Sequence, residues 1–309
     1  MAERVAWYRG RIVPESEVLI PFRDAGFTRG DGVYDSARTF AGEIFRLDAH
    51  LDRLWRSLAY VGLESPLARG ELAEVSREVA RRNVEITSDD VWVTQRITGG
   101  SPPDWSLDPV PSLVVESLPI PFATRAHLYR DGARVITPTL RRTPPWAMSP
   151  QAKTTSLLNL ELGRREVQAV DPGAWAMLTD EFGNLAEGSG ANIFVVRGGV
   201  LATPLAQYVL PGVTRDAVLE LAAGLGIPTE ERPIDLFDAY TADEVVITST
   251  SLCACPVASI NGRPIAGGAV PGPITRRLQD AFSAQVGVDI VEQYLRHLPE
   301  RTAQGVGAR

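Results

Sequence analysis

Cysteine, long apolar runs and clusters of basic residues are all scarce in this chain of 309 residues, and each shortage excludes a class of protein. The two cysteines, Cys253 and Cys255, stand one residue apart, too close for an easy disulfide and too few for a zinc site. No stretch approaches the roughly 20 apolar residues of a membrane span, and the first ten residues contain no apolar signal core. We therefore expect a cytoplasmic protein without a membrane partner.

Charge and histidine content narrow the function further. The net charge is -7, and without a long basic run the chain lacks a surface suited to nucleic-acid phosphates. The three histidines, His50, His127 and His297, lie in no recognisable nucleophile motif, so a serine or cysteine hydrolase has little support. With 44% hydrophobic residues the chain can bury a large core. Because a nucleic-acid surface is not expected, its partners are expected to be small molecules.

Lysine is the scarcest charged residue. Of the 31 basic residues thirty are arginine, and Lys153 is the single lysine. An amine can lose its proton and form an imine with a carbonyl group, whereas a guanidinium stays protonated. The surviving lysine therefore indicates either nucleophilic amine chemistry or a compositional bias that left one lysine on a surface helix. The neighbouring residues must decide between the two.

The first 118 residues are rich in strand patterns. Apolar and polar residues alternate over residues 5–13 and again over 33–47, with a glycine in each turn, so we predict two β-hairpins. Leucines at helical spacing predict a helix from the capping residue Asp48 to Gly62. The remaining predicted elements are a helix containing Leu72, Val75 and Val79 and strands over 91–98 and 112–118.

Pro119 and Pro121 interrupt this pattern, because proline fixes φ and removes a backbone donor. A proline-rich segment between two patterned regions is typical of a domain linker. The predicted boundaries are 1–118 for a small domain, 119–125 for the linker, 126–298 for a large domain and 299–309 for a disordered tail.

The large domain mixes strands and helices, and Glu187 falls in a predicted turn between two of its strands. The polar residues 139–150 are a predicted loop. The other predicted elements are strands at 134–138, 175–179, 191–196, 200–202 and 245–248, and helices that begin just past Lys153, at Gly212 and at Pro273.

Four requirements of a pyridoxal phosphate (PLP) enzyme have candidates here: an imine-forming lysine, a carboxylate beside the pyridine nitrogen, a phosphate cup and a substrate pocket. Glu187 is the candidate carboxylate, with a solvated turn residue as the alternative. The helix opening at Gly212 offers free N–H groups to a phosphate, and Thr214 and residues 248–251 add hydroxyl groups. Arg53 can supply a charge-assisted bond. A plain helix cap and a solvated helix face remain the alternatives for Thr214 and Arg53.

Five segments in order resemble the class IV aminotransferases, which are the fold type IV PLP enzymes. They are RGDGVYDSARTFAGEIFRLDAHLDRL, AKTTSLLNLELGRREV, TDEFGNLAEGSGANIFVV, YVLPGVTRDAVLELA and ADEVVITSTS. The similarity runs from about Val5 to Leu295. It implies PLP as cofactor, a small N-terminal α/β domain, a larger C-terminal pseudo-barrel domain, and a homodimer whose active sites borrow residues across the interface.

The resemblance also implies a role for each matched position. Lys153 matches the Schiff-base lysine, and Glu187 matches the glutamate at the pyridine nitrogen. The implied phosphate ligands are Arg53, Val213, Thr214 and Thr250, the residue packed against the ring is Leu210, and the aromatic residue of the substrate pocket is Tyr34.

Two positions depart from the known subfamilies. Leu158 stands where branched-chain aminotransferases have a tyrosine, and Gly99 stands where D-amino acid aminotransferases have a carboxylate-binding arginine. Arg96 lies near the arginine of the branched-chain enzymes instead. The chain therefore matches neither subfamily cleanly.

Strand alternation groups the candidate substrate residues. It places Tyr34, Ser36 and Arg38 on one face of a strand, and Arg96 between Thr94 and Thr98 on one face of another. An arginine fork that points inward would bind an α-carboxylate, whereas the alternative is an arginine salt-bridged on a sheet surface. The predicted substrate residues are Tyr34, Arg38, Arg96 and Ser251.

We therefore predict a PLP-dependent aminotransferase. It would move an amino group between a small hydrophobic amino acid or amine and a 2-oxo acid, through a Lys153 Schiff base and pyridoxamine phosphate. The alternatives are an (R)-selective amine transaminase, a D-amino acid aminotransferase and an aminodeoxychorismate-type lyase that releases a pyruvate-like fragment. A PLP-binding protein without catalytic activity is a further alternative.

Overall fold

A computed structural model describes residues 3–102, 109–265 and 269–298, and its strands fall into two sheets. The six-stranded sheet is antiparallel with the strand order β2-β1-β6-β5-β3-β4. Its elements are β1 (Val5–Tyr8), β2 (Arg11–Pro14), α1 (Ala25–Arg29), β3 (Gly32–Phe40), β4 (Glu43–Ile44), α2 (Leu47–Val61), α3 (Arg69–Thr87), β5 (Val91–Ser101) and β6 (Val110–Pro119).

The core of this half lies between the sheet and the helices α2 and α3. The leucines that predicted α2 are all buried, and they pack with Leu72 and Val79 of α3 against Val33 and Val93 of the sheet. Both hairpins are formed as predicted. At the second turn, Ala41 and Gly42 both have positive φ, 49° and 86°, the left-handed geometry of a two-residue hairpin.

One detail of α2 differs from the prediction. The helix begins at Leu47, because Arg46 has a left-handed backbone at the N-cap, and Asp48 lies in the first turn instead of capping it. An acidic residue there still interacts favourably with the helix dipole. The helix ends at Gly62 with φ 73°, as predicted.

The second sheet has nine strands in the order β12-β11-β10-β13-β14-β7-β8-β9, with β15 paired to β14. It is mixed, because the pairs β11–β12, β14–β7 and β7–β8 are parallel. Its elements are α4 (Phe122–Asp131), β7 (Ala133–Ile136), α5 (Leu158–Val170), β8 (Trp175–Thr179), β9 (Leu185–Gly188), β10 (Asn192–Arg197), β11 (Val200–Thr203), α6 (Val213–Gly224), β12 (Thr229–Glu231), α7 (Leu236–Tyr240), β13 (Glu244–Ser249), β14 (Cys253–Ile260), β15 (Arg263–Pro264), α8 (Pro273–Val286) and α9 (Glu292–Leu295).

The segment around Lys153 differs from the predicted helix start. The Lys153 carbonyl accepts a bond from the Tyr34 N–H at 3.0 Å, and the Thr155 N–H donates to the Gly32 carbonyl at 2.8 Å. These bonds to the beginning of β3 hold residues 153–155 outside the helix, so α5 begins only at Leu158.

Two further predictions are corrected. Glu187 lies on strand β9, with its side chain buried, and not in a solvated turn. The predicted linker is helical in its second half, because α4 begins at Phe122. The division into two domains at this point stays a prediction, and the proposed tail lies outside the described residues. Within the described ranges, the helices are too short or too polar to cross a bilayer.

Candidate active site

Residues from both halves of the chain line one cavity of about 360 Å³, here called the main cavity. Lys153, Glu187 and Arg53 are all on its wall. The wall also includes Tyr34, the predicted aromatic residue of the substrate pocket, and the other predicted cofactor ligands, which are Leu210, Val213, Thr214 and Thr250. The structure therefore brings together residues that are distant from one another in sequence.

Lys153 is fixed by its backbone. Its N–H donates to Ser57 Oγ of α2 at 3.0 Å, and its carbonyl is bonded to β3. The amine lies 4.3 Å from the centroid of the Tyr34 ring. No ion pair joins it to a carboxylate of the described residues, which leaves the amine available for chemistry.

The arginines of the main cavity differ from Lys153 in this respect. Arg53 pairs with Asp35, Arg142 pairs with Glu187, and Arg164 pairs with Glu161. Each guanidinium has a carboxylate partner, and because a guanidinium stays protonated, none of the three competes with Lys153 as a nucleophilic amine.

One end of the main cavity is suited to an anion. Gly212 caps α6 with its backbone in the extended region, which leaves the N–H groups of the first turn, at Val213 and Thr214, without helical partners. A Cβ at Gly212 would come within 2.2 Å of Asn192 Oδ1, so a larger residue here would displace the Asn192 amide, which donates to the Leu210 carbonyl at 3.0 Å. Arg53 lies here too, and its Nη1 donates to the Pro211 carbonyl at 3.0 Å.

Thr250 completes this end from the turn that follows β13. Its hydroxyl donates to the Ser36 carbonyl of β3 at 3.1 Å, which ties the turn to the other half of the chain. The site thus combines a guanidinium, a helix N-terminus and threonine hydroxyls, the donor set that binds phosphate monoesters in proteins.

A second region of the main cavity, here called the carboxylate end, presents the carboxylate of Glu187. Glu187 Oε1 accepts a bond from Arg142 Nε at 2.7 Å, and Oε2 accepts one from the Leu210 N–H at 2.9 Å. These two bonds fix the plane of the carboxylate and compensate its burial. A carboxylate held in this way stabilises a protonated ring nitrogen.

Arg142 and Asp35 were missed by the sequence analysis. Arg142 is one of thirty arginines and lies in the predicted loop 139–150, so no local pattern distinguishes it. Asp35 alternates with Tyr34 and Ser36 on β3, so it lies on the other face of the strand from the residues predicted for the pocket. Strand alternation therefore predicts its direction but not its partner on α2.

The prediction for Arg38 is wrong. Its side chain is fully buried, and it donates to the carbonyls of Thr39 and Ser251 and to the amide oxygen of Gln293, at 2.7 to 3.1 Å. Its guanidinium also stacks 4.0 Å from the Phe40 ring centroid. Arg38 therefore joins the two halves of the fold and does not line the main cavity.

Ser251 is likewise structural. It is buried, its hydroxyl accepts a bond from Arg125, and its carbonyl accepts bonds from Arg38 and from the Tyr294 hydroxyl. With its polar groups engaged in this way, Ser251 holds the turn that carries Thr250. The prediction that it contacts substrate is corrected accordingly.

Arg96 lies beside the main cavity. It is directly opposite Tyr34 in the β3–β5 register, and its guanidinium is 5.1 Å from the Tyr34 ring centroid. Its Nη2 donates to Glu116 at 3.1 Å, and the side chain is 40% exposed. Arg96 lines a neighbouring side cavity of about 210 Å³, together with Asp24, Phe27 and Thr98.

Comparison with known proteins identifies the family. The profile of the class IV aminotransferases matches residues 32–260, which include Lys153, Glu187, Thr214 and Thr250. The chain belongs to the class IV aminotransferase family. The activity and the cofactor expected from the sequence, aminotransfer with PLP, are thereby confirmed.

Individual class IV aminotransferases are similar to this chain over most of its length. A protein of Methanocaldococcus jannaschii, provisionally named a branched-chain-amino-acid aminotransferase, is 36% identical over 282 residues, which is 89% of this chain and 94% of that protein. The D-alanine aminotransferase of Bacillus licheniformis is 29% identical over 283 residues, 90% of this chain and 96% of that one.

The solved structures confirm fold type IV. The T.th. branched-chain amino acid aminotransferase with pyridoxamine 5'-phosphate superimposes with a TM-score of 0.81 at 30% identity, covering 93% of this chain and 95% of that one. The main cavity fits the cofactor of a class IV aminotransferase, because its anion-binding end and its carboxylate end lie on the same wall as an unpaired amine.

Proposed function

We propose that Lys153 is the catalytic residue of this aminotransferase and that the main cavity binds PLP between its two charged ends. Arg53, Val213, Thr214 and Thr250 would hold the phosphate, and Thr250 would do so by giving up its bond to the Ser36 carbonyl. Glu187 would stabilise the ring nitrogen and Leu210 would pack against the ring, since both line the same cavity. The remaining space beside Tyr34 takes the substrate.

The roles of the side chains follow from their positions. When bound, PLP supplies an aldehyde that bonds covalently to an amine and a ring that withdraws electrons from the substrate Cα. Lys153 would hold the cofactor through its amine, and the same amine, when free, would act as the general base that takes up the substrate Cα proton and gives it back. Glu187 would keep the ring nitrogen protonated, because its carboxylate would stabilise the positive charge there.

We propose amino acids with small apolar side chains, and the corresponding 2-oxo acids, as substrates. Support comes from Arg96, whose carboxylate partner is the partly exposed Glu116 and whose guanidinium lies beside the Tyr34 ring. A substrate carboxylate could replace Glu116, and the Tyr34 ring would pack on the side group. The names of related proteins refer to branched-chain amino acids and to D-alanine, which have side chains of this kind.

A second candidate is transfer from amines that lack a carboxylate. It is favoured by one observation: each of the three arginines that line the main cavity is already paired with a carboxylate. An enzyme of this kind would be faster with (R)-1-phenylethylamine than with any amino acid. Spectral titration with L- and D-amino acids and with both enantiomers of that amine separates the two candidates.

The unpaired amine of Lys153 carries the proposal, and borohydride reduction tests it. Because Lys153 is the single lysine, reduction in the presence of PLP should attach the cofactor to the one peptide that contains it. Lys153→Arg should fold, keep its charge, and lose labelling together with multiple-turnover transamination, by at least about a thousandfold. Labelling of another peptide, or wild-type turnover in the variant, would refute the assignment.

We also propose a cytoplasmic homodimer. Large apolar side chains are exposed on the structure, and burial against a second copy would remove them from water. Among them are Leu19, Phe22, Phe27, Trp146 and Leu158. Both cysteines are free thiols, as is usual in a reducing compartment. Sedimentation should give twice the 33.5 kDa chain mass for the active species, and an active monomer would contradict the dimer.

A further inference from the structure

Asp35 is a carboxylate in an apolar setting. It lies on β3 between Tyr34 and Ser36, but alternation turns it to the opposite face, where α2 packs, and its side chain has no exposed surface. Val33 and Ala37 on the same face belong to the buried core, as do the leucines of α2. A carboxylate in this position is stable only if charge and hydrogen bonds compensate its burial.

Two side chains of α2 provide that compensation. Arg53 donates to both carboxylate oxygens, from Nε to Oδ2 at 2.7 Å and from Nη2 to Oδ1 at 2.8 Å. His50, three residues earlier and thus on the same helix face, has Nδ1 2.7 Å from Oδ1. Asp35 is therefore held by a bidentate arginine and by one further donor.

The charge states of this cluster follow from its surroundings. Burial alone would raise the pKa of Asp35, but Arg53 and His50 outweigh it and hold that pKa well below its usual range. Burial lowers the pKa of His50 despite the opposing carboxylate, so the ring is neutral near pH 7 and its Nδ1 carries the proton that Asp35 accepts. The cluster contains one negative charge and one positive charge.

The geometry also limits how Arg53 can move. Three of its five N–H donors are used, two by Asp35 and one by the Pro211 carbonyl just before the N-terminus of α6. Only the remaining two can point to the main cavity, which Arg53 lines and Asp35 does not. A flexible side chain is thus fixed in one orientation before any ligand binds.

We propose that Asp35 and His50 are positioning residues for a phosphate monoester: they orient the Arg53 guanidinium without touching the ligand. This inference rests on the proposed function, because it assigns the anion-binding end of the main cavity to the cofactor phosphate. It separates Asp35 from the ordinary core residues around it, whose replacement would affect folding but not the recognition of phosphate.

The test compares two ligands that differ only in the phosphate. Apoenzyme is titrated with PLP and with pyridoxal, both of which react with Lys153, and the ratio of the two dissociation constants isolates the phosphate contribution. We expect Asp35→Asn to reduce the preference for PLP by about ten- to a hundredfold, because the amide cannot accept both Arg53 bonds. His50→Phe should reduce it by about three- to tenfold, since Arg53 keeps its bidentate partner.

A double variant shows whether Asp35 acts through Arg53. Arg53→Ala alone should remove most of the preference for PLP and should also lower the unfolding temperature, because it leaves a buried carboxylate unpaired. Adding Asp35→Asn to Arg53→Ala should leave the preference for PLP over pyridoxal the same as in Arg53→Ala alone. It should also reverse part of the decrease in unfolding temperature. Independent effects of the two substitutions on the preference would overturn the inference.

Asp90 supplies the matched control. It is also a buried carboxylate, directly before β5, where it accepts bonds from Thr39, Gly42 and Gln293, but it does not line the main cavity. Asp90→Asn should lower the unfolding temperature and leave the preference for PLP unchanged. If Asp35→Asn behaves like Asp90→Asn, Asp35 is a core residue only. If the wild type itself shows no preference for PLP over pyridoxal, the proposed phosphate site fails, and the inference fails with it.

Discussion

The two ends of the main cavity use the same pair of residue types in opposite orientations. At one end Arg53 lines the cavity, and the carboxylate of Asp35 lies behind it without exposed surface. At the other end the carboxylate of Glu187 lines the cavity, and Arg142 holds it through Oε1. Each pair contains one positive and one negative charge, so the orientation of the pair, and not its net charge, decides whether an anion or a cation is stabilised there.

This difference also explains why neither end could be assigned from charge alone. A buried arginine with a carboxylate partner is stable whichever group faces the ligand. Only the fold decides: Asp35 points to the core because it alternates with Tyr34 on β3, whereas Glu187 points to the cavity from β9. A single substitution can therefore alter one end of the main cavity, or the side cavity that Arg96 lines, and leave the other parts of the site intact.

Among substitutions that leave Lys153 in place, the largest effect on catalysis is expected at the carboxylate end. Glu187→Gln should still bind PLP, because the phosphate end is unchanged, but should slow removal of the Cα proton by about a hundredfold, since the neutral amide no longer favours a protonated ring nitrogen. Single-turnover absorbance changes with an amino donor measure this rate. An unchanged rate would make Glu187 only the buried partner of Arg142.

A smaller effect is expected from Arg96, in the side cavity. Arg96→Ala should reduce turnover of amino acids by about ten- to a hundredfold, because a charge-assisted bond to the substrate carboxylate is lost. Reaction of 1-phenylethylamine, which has no carboxylate, serves as the control and should fall much less. Equal losses on both substrates would mean that Arg96 supports the sheet through its bond to Glu116.

The smallest effect is expected when the arginine of the carboxylate end is removed. Arg142→Gln should slow the same single-turnover step by about tenfold, because Glu187 then keeps only its bond from the Leu210 N–H and is less firmly oriented. Arg164→Gln is the matched control: Arg164 also lines the cavity, but its carboxylate partner is Glu161. Equal effects of the two variants would show that Arg142 has no special relation to Glu187.

Much of the fold could be predicted from local patterns. The hairpins, the helix that ends at Gly62 and the helix that opens at Gly212 depend on turn geometry and on spacing within a few residues. The late start of α5 could not be predicted, because it results from bonds between the Lys153 segment and a strand far earlier in the chain.

The site shows the same limit. Composition drew attention to Lys153, since no other lysine competes with it, but the motif around it was needed to favour amine chemistry over a compositional bias. Arg38 and Arg53 both lie in the first family motif, and the sequence does not distinguish them. In the structure Arg38 donates to backbone carbonyls and to Gln293, whereas Arg53 lines the main cavity. Arg142 meets its partner 45 residues away, and no local pattern encodes such a distance.

The turn that follows β13 and carries Thr250 is held by several hydrogen bonds, and these have a thermodynamic consequence. Arg38 and Tyr294 donate to the Ser251 carbonyl, and the Tyr129 hydroxyl donates to the Leu252 carbonyl, and none of these bonds has to break when Thr250 turns to a phosphate. The conformational entropy of this turn is therefore lost when the chain folds, and not when a ligand arrives. Calorimetry of phosphate binding should accordingly show little of the unfavourable entropy that accompanies the ordering of a loop.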